Sequence, residues 1–356
     1  MTETSSLRPG LGAPPPEDTI LDVRNLRTYF KVMDGTVPAV DGTSFSLGRG
    51  QTLGIVGESG SGKSVTAMTI MRLLDIPPAV IGEGSEIWFD GREVLSLPDG
   101  EMRRIRGNEM AMIFQEPLTS LNPVFTVGDQ IAEQVKLHKK VKDKEAKDRA
   151  IEMLRLVGIN SPERRAKQYP HELSGGMRQR VMIGMALSCE PKMIIADEPT
   201  TALDVSIQAQ IITLLKRLCR DNGTAIMLVT HDMGVIAETA DRVAVMYAGR
   251  VVEIGPVQEV IHNPQHPYTT GLMGSIPAVG QELERLPQIE GSMPRLNAIP
   301  AGCPFNPRCP RVFDRCKVER PNLLPADNSL AACWLHAPEM AAPGAPKDWS
   351  DGAVHA

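Results

Sequence analysis

Between residues 19 and 56, apolar positions fall in short alternating runs, ILDVRNL, VPAVDGTSFSL and QTLGIVG, broken by Gly and Asp. That period predicts strands joined by turns. From Ser64 to about Leu74 the spacing lengthens to that of a helix, VTAMTIMRLL. Residues 86–114 return to short strand-like runs, with a basic helix at EMRRIRG and an apolar strand at MAMIF. Residues 124–187 are predicted mostly helical, because IAEQVKL, AIEMLRLVGI and RVMIGMALSC carry apolar residues three and four apart. Two more strand-like runs, MIIAD and TAIMLVTHD, flank the helix VSIQAQIITLLKRLCRD. Strand–helix–strand order implies a parallel βαβ unit and an α/β fold. After Gly255 the composition shifts to Pro, Asn and His, and no internal repeat is visible.

The 356 residues, 42% of them apolar, suit one large α/β domain with an appendage. No apolar run approaches the roughly 18 residues that a membrane-spanning helix needs. The N-terminus lacks the basic start and apolar stretch of a signal peptide. Its first 18 residues, rich in Pro and Gly, are expected to be a disordered lead. A net charge of −5 argues against a nucleic-acid partner, which calls for a basic face. The mixed-sign run from Lys136 to Arg149 reads as a solvated helix surface.

Candidate chemistry begins at GESGSGKS, residues 57–64, which fits G-x-x-x-x-G-K-[ST]. An apolar strand ending in Ile55-Val56 precedes it and a helix follows. Gly57, Gly60 and Gly62, interleaved with Ser59 and Ser61, permit a tight turn whose successive N–H groups point at phosphate oxygens. The helix starting near Lys63 adds its positive end. Lys63 offers a cation to the β- and γ-phosphates of ATP, and the Ser64 hydroxyl a ligand to Mg²⁺, a hard ion that prefers oxygen. In MIIADEP, Asp197 sits at the C-terminal tip of a strand, where open α/β sheets bind ligands, and suits the Mg²⁺ shell. Glu198, next in line, is placed to polarise a water for attack on the γ-phosphate.

Further motifs are LSGGMRQR at 173–180, TALD at 201–204, Gln115 after MAMIF, and His231 closing IMLVTH. Their order resembles that of ATP-binding-cassette (ABC) ATPases over roughly residues 20–260. The resemblance implies a nucleotide-binding domain at 19–260. Within it would lie a RecA-like core, an antiparallel β subdomain near the N-terminus and a helical subdomain at about 116–180. It further implies that Phe30 or Tyr29 stacks on adenine and that Val65 borders the phosphates. Gln115 would reach Mg²⁺ and the attacking water, Glu198 would act as base, and His231 would contact the γ-phosphate. The signature residues Leu173, Ser174, Gly175, Gly176, Met177, Arg178 and Gln179 would serve the γ-phosphate of an opposite subunit, with Asp204 at the interface. Val65 and Thr201 stand where relatives often have Thr and Ser; neither departure removes a catalytic group. One loop and one signature imply a dimer, with an identical or a similar second ABC ATPase subunit.

MIFQEPLTSLNPVFTVGDQI at 112–131 and NPQHPYTTGLMGSIP at 263–277 resemble segments of oligopeptide and dipeptide importer ATPases, carrying the likeness to about His336. ATPases for nickel and for some sugar or opine conjugates share that subfamily. The resemblance implies a peripheral ATPase on the cytoplasmic face of the inner membrane. Two permease subunits would dock near Pro117 to Pro123, and an extracytoplasmic solute-binding protein would deliver the solute. A soluble cassette in DNA repair or translation is the competing reading, disfavoured by the single cassette and the lack of a sustained heptad. An exporter is disfavoured by the C-terminal extension.

Cys189 and Cys219 lie alone in helical or apolar surroundings and read as small buried hydrophobes. Cys303, Cys309, Cys316 and Cys333 instead crowd an extension at 261–340, ahead of a flexible tail at 341–356. Their spacing, C-x5-C-x6-C-x16-C among Pro and Gly turns, suggests a metal-held loop. A reducing compartment disfavours disulfides, and the gaps exceed those of zinc knuckles. A [4Fe–4S] cluster takes four thiolates and tolerates varied spacing. Similar patterns in dipeptide-importer ATPases are associated with such a cluster, which is the preferred reading, with zinc or no metal as alternatives.

Overall fold

The computed structural model describes residues 12–33, 35–200, 205–275 and 288–338. Asp204, Thr201, residues 1–11 and the tail at 341–356 lie outside the described residues. Strand β1 (Thr19–Val32) pairs antiparallel with β2 (Gly35–Gly48), from Thr19↔Gly48 to Val32↔Gly35. The buried strand β3 (Thr52–Val56) then leads through the glycine-rich loop into helix α1 (Lys63–Ile70). Helix α1 stops short of Leu74 because Arg72 enters the left-handed region at φ 50° and Pro77-Pro78 follow. Strands β4 (Ala79–Ile81) and β5 (Glu86–Phe89) return to β1, and β6 (Arg92–Glu93) completes a five-stranded antiparallel sheet.

Helix α2 (Asp99–Ile105) precedes β7 (Met110–Ile113). A helical layer follows: α3 (Pro117–Ser120), α4 (Val127–Lys139), α5 (Asp143–Leu156), α6 (Pro162–Arg165) and α7 (Gly175–Leu187). On its surface Asp143 pairs with both Lys136 and Lys147, as the mixed-sign run predicts. The chain then alternates β8 (Met193–Asp197), α8 (Val205–Asn222), β9 (Ala225–Thr230), α9 (Met233–Thr239) and β10 (Arg242–Tyr247) before turning back along β11 (Arg250–Pro256). The last elements are α10 (Val257–His262), α11 (Pro267–Gly274), α12 (Asp314–Val318), β12 (Leu324–Ala326) and β13 (Ser329–Ala331).

The second sheet runs β12-β13-β11-β10-β3-β9-β8-β7. Its pairs from β10 to β7 are parallel, and those from β12 to β10 are antiparallel. The parallel strands are buried on both faces, which explains their unbroken apolar runs. Alternation sorts their side chains: Met193, Ile195, Met227 and Val229 join the antiparallel sheet's core, while Ile194, Ala196, Ile226 and Leu228 join the core under the helical layer.

Two expectations change. Residues 12–18 are not a loose lead: Gly12 N–H donates to Glu86 Oε1 at 2.8 Å, Arg24 to Ala13 O at 2.7 Å and Arg49 to Glu17 O at 2.8 Å. The C-terminal extension, expected as an appendage, is packed onto the core sheet. Its β12–β13 hairpin prolongs the core sheet through Glu253↔Ala331 and Ile254↔Leu330, and Tyr268, Phe305, Cys303 and Cys316 belong to the same buried cluster as Val56 and Tyr247.

Candidate nucleotide site

The loop between β3 and α1 needs its glycines for close approach. A Cβ on Gly57 would lie 2.2 Å from Met246 O, and one on Gly62 2.5 Å from Ala39 O. Gly62 also caps α1 at φ 99° without a side-chain bond, so the first-turn N–H groups of α1 are left for a ligand. The Ser61 hydroxyl is buried and has no partner within the protein, a donor that a phosphate oxygen would satisfy.

Lys63 folds back on the loop, its Nζ donating to Gly57 O at 2.8 Å and Glu58 O at 3.0 Å. Burial pulls its pKa below the ordinary lysine value, while the carboxylates of Glu198, Asp197 and Glu58 work the other way. Ser64 Oγ donates to Asp197 Oδ1 at 3.0 Å, across the gap between α1 and β8. Burial raises the Asp197 pKa; the Ser64 bond opposes that, the Glu198 charge adds to it, and Lys63 opposes it. Two oxygens so placed, with the Gln115 side chain lining the same pocket, fit a hard divalent cation.

Glu198 takes a positive φ of 45°, and its N–H donates to Val229 O at 2.8 Å. Gln115 Nε2 donates to Glu198 Oε2 at 2.9 Å, and His231 Nδ1 lies 3.2 Å from Glu198 Oε1. The structure thus brings together Lys63, Ser64, Gln115, Asp197, Glu198 and His231. Tyr29 and Phe30 are half-buried on β1, opposite Pro38 and Val37 of β2. Val65 packs at the edge of the antiparallel sheet's core.

The signature residues stand apart. Ser174 caps α7, accepting the Met177 N–H at 3.3 Å, and Arg178 Nε donates to Leu173 O at 3.1 Å. Gln179 is buried with its Nε2 unpartnered. Gly175 and Gly176 form the first turn of α7, with Ile207 3.2 Å from a Cβ placed on Gly176. Among the described residues, no hydrogen bond joins 173–179 to 57–64.

Known proteins decide the family. Residues 40–201 match the ABC transporter family, and residues 252–316 match the family described as oligopeptide/dipeptide transporter, C-terminal region. The oligopeptide transport ATP-binding protein AppD of Bacillus subtilis is 50% identical over 324 residues, covering 91% of this chain and 98% of that protein. The chain belongs to the ABC transporter family. The dipeptide transport ATP-binding protein DppD of Bacillus subtilis is 50% identical, over 89% of this ABC protein and 95% of its own length. Oligopeptide transport ATP-binding protein OppD of Escherichia coli is 48% identical, over 91% and 95%. The fold is that of an ABC ATPase: the dimeric ATP-binding cassette MJ0796, solved bound to ADP and Pi, superposes with TM-score 0.60. It is 28% identical and covers 67% of this chain and 98% of its own. Among the described residues, no helix is long and apolar enough to cross a membrane.

Cys303, Cys309, Cys316 and Cys333 line one pocket beside His266, Phe305 and Trp334. Burial raises the Cys303 thiol to about 11 and the Cys333 thiol to about 12. Cys189 and Cys219 are buried, as their surroundings predict. Among the described residues, no three His, Cys, Asp or Glu side chains form a group that could hold a metal ion, so neither the expected [4Fe–4S] cluster nor the zinc alternative gains support here.

Sequence reasoning missed the ties between loop and extension. Tyr268 OH accepts the Glu58 N–H at 2.9 Å, and Arg308 Nη1 donates to both Glu58 carboxylate oxygens at 3.1 Å. The only advance signal was the His-Pro-Tyr string itself. His266 caps α11 by accepting Tyr268 N–H, Pro267 takes its first position, and the Tyr268 ring packs tilted against Tyr247, centroids 4.6 Å apart.

Proposed function

We propose that this protein is the ATPase subunit of an importer that couples ATP binding and hydrolysis to uptake of di- or oligopeptides. It works peripherally on the cytoplasmic face of the inner membrane. Its partners are a second cassette, two permease subunits and an extracytoplasmic solute-binding protein. The observation that carries the ATPase reading is Glu198, held between Gln115 and His231 at the tip of the strand that also presents Asp197 to Ser64. The peptide assignment rests on the C-terminal match and on what the relatives are named for.

In this reading the loop N–H groups and Lys63 bind the β- and γ-phosphates, and Phe30 or Tyr29 stacks on the adenine. Ser64, Asp197 and Gln115 would hold Mg²⁺, which neutralises phosphate charge. Glu198 orients and deprotonates the attacking water, with Gln115 and His231 fixing its carboxylate. Residues 173–179, which make no hydrogen bond to their own loop, complete the site of a facing cassette, with Asp204 at that interface. ATP therefore closes the pair only through its extra contacts in the closed state. The groove beside Gln115, rimmed by Phe114, Thr119 and Ser120, receives a helix of the permease. Glu198→Gln should retain ATP and accumulate as a closed dimer on gel filtration; normal hydrolysis by that variant would overturn the assignment of the base.

The cysteine pocket holds a [4Fe–4S] cluster in this reading. The support is the chemistry of the donor set: four thiols around one pocket, where burial alone disfavours the thiolates and metal charge would favour them. Protein purified without oxygen should be brown, with iron and sulfide near four each; colourless protein holding zinc would overturn it.

A further inference from the structure

Arg308 lies on the loop between Cys303 and Cys309, far along the chain from the phosphate loop, yet its side chain is only 7% exposed and points at Glu58. Its Nη1 reaches both Glu58 oxygens at 3.1 Å and Tyr247 OH at 3.3 Å. Its other nitrogens donate to the carbonyls of Glu290 at 2.9 Å, and of Ile289 and Gly291 at 3.4 Å. The guanidinium thus binds the backbone of Ile289 to Gly291 to the phosphate loop. Met293 of that segment comes within 3.1 Å of a Cβ placed on Gly60. From the backbone side, Tyr268 accepts the Glu58 N–H at 2.9 Å. Phe305 packs between, 5.3 Å from Tyr247 and 5.4 Å from Tyr268.

We infer that Arg308 and Tyr268 are positioning residues for ATP binding, fixing the phosphate loop through Glu58 and neutralising that carboxylate beside the triphosphate. The inference rests on the ATP site proposed above. Two effects follow from the geometry. Without Arg308 the Glu58 side chain loses the charge-assisted hydrogen bonds that Nη1 makes to both its oxygens, and the loop loses a restraint on its shape. The freed carboxylate also stands near bound phosphates, where like charge repels in a partly dry site. Loss of positioning alone cannot be reversed from the Glu58 side, whereas loss of charge balance can.

The test uses the full chain and a fluorescent ATP analogue with Mg²⁺ at low salt. Arg308→Met should bind the analogue about tenfold more weakly, roughly 1.4 kcal/mol. Adding Glu58→Gln in that background should restore affinity to within about threefold, because the neutral amide no longer repels phosphate. Arg320→Met, which breaks the extension's ion pair with Asp41, should leave affinity unchanged. Should Arg308→Met fail to fold, Tyr268→Phe removes the acceptor of the Glu58 N–H and should weaken binding about threefold. Wild-type affinity in Arg308→Met or Tyr268→Phe overturns the inference, as does a Glu58→Gln change that recovers nothing. Wild-type protein that fails to bind the analogue would instead overturn the ATP site.

Discussion

Replacing His266 with Asn isolates one buried titration. His266 is 1% exposed and accepts the Tyr268 N–H on Nδ1 at 3.1 Å, capping α11. Burial first, and the charge of His336 second, lower its pKa from 6.5 to about 3. The fold therefore holds a neutral imidazole, and protonating Nδ1 would abolish the cap. The unfolded chain binds that proton near pH 6.5, so the unfolded state carries more protons below that pH. This contribution to stability is full above pH 6.5 and is lost as pH falls toward 3. One pH unit below the unfolded pKa the loss is about 1.4 kcal/mol, worth on the order of 2–3 °C of melting temperature. Asn keeps a capping oxygen but does not titrate. Urea unfolding of both proteins at about pH 7.5 and about pH 5.5 gives two stability differences. The gap between wild type and His266→Asn should move by about 1.4 kcal/mol against the wild type at the lower pH. An unchanged gap would refute the buried neutral histidine and with it the account of the His-Pro-Tyr turn.

Lys63→Ala removes the ammonium that donates to Gly57 O and Glu58 O, and should weaken nucleotide binding by at least about tenfold in the same fluorescence titration. Unchanged affinity would place the phosphates elsewhere. Cys316→Ser should abolish the brown colour of protein purified without oxygen while nucleotide still binds, because Cys316 lies in the cysteine pocket and not among the loop residues. A variant as brown as wild type would remove Cys316 from the ligand set.

What could be read in the sequence was local or ordered. Period-two alternation in ILDVRNL and unbroken runs in MIIAD and AIMLVT announced strands, since the pleat sorts side chains to two faces and the parallel strands are covered on both. The glycine loop was legible because its geometry is set within eight consecutive residues. Bringing Ser64 to Asp197 across 133 positions required motif order, which spacing alone does not supply. Residues 12–18 went astray because composition measures what a segment can bury, not that Glu86, Arg24 and Arg49 will hold its backbone. Glu58 and Arg308, 250 positions apart, left no local sign at all. Each reads as a solvated charge until β11 carries the extension back along the core sheet.

That return path changes what the extension is. Its shift to Pro, Asn and His suggested an appendage to the cassette. Instead Tyr268 and Phe305 are almost fully buried against Tyr247, the last residue of β10, which pairs in parallel with β3 directly ahead of the phosphate loop. A close-packed interior transmits displacement, because side chains held in contact have no slack to absorb it. The loop from Cys303 to Cys309 bears Phe305 at the Tyr247 contact and Arg308 at Glu58, so one short segment lines the cysteine pocket and makes both contacts. The glycine-rich loop in this chain is therefore braced at Glu58 by residues beyond the cassette itself.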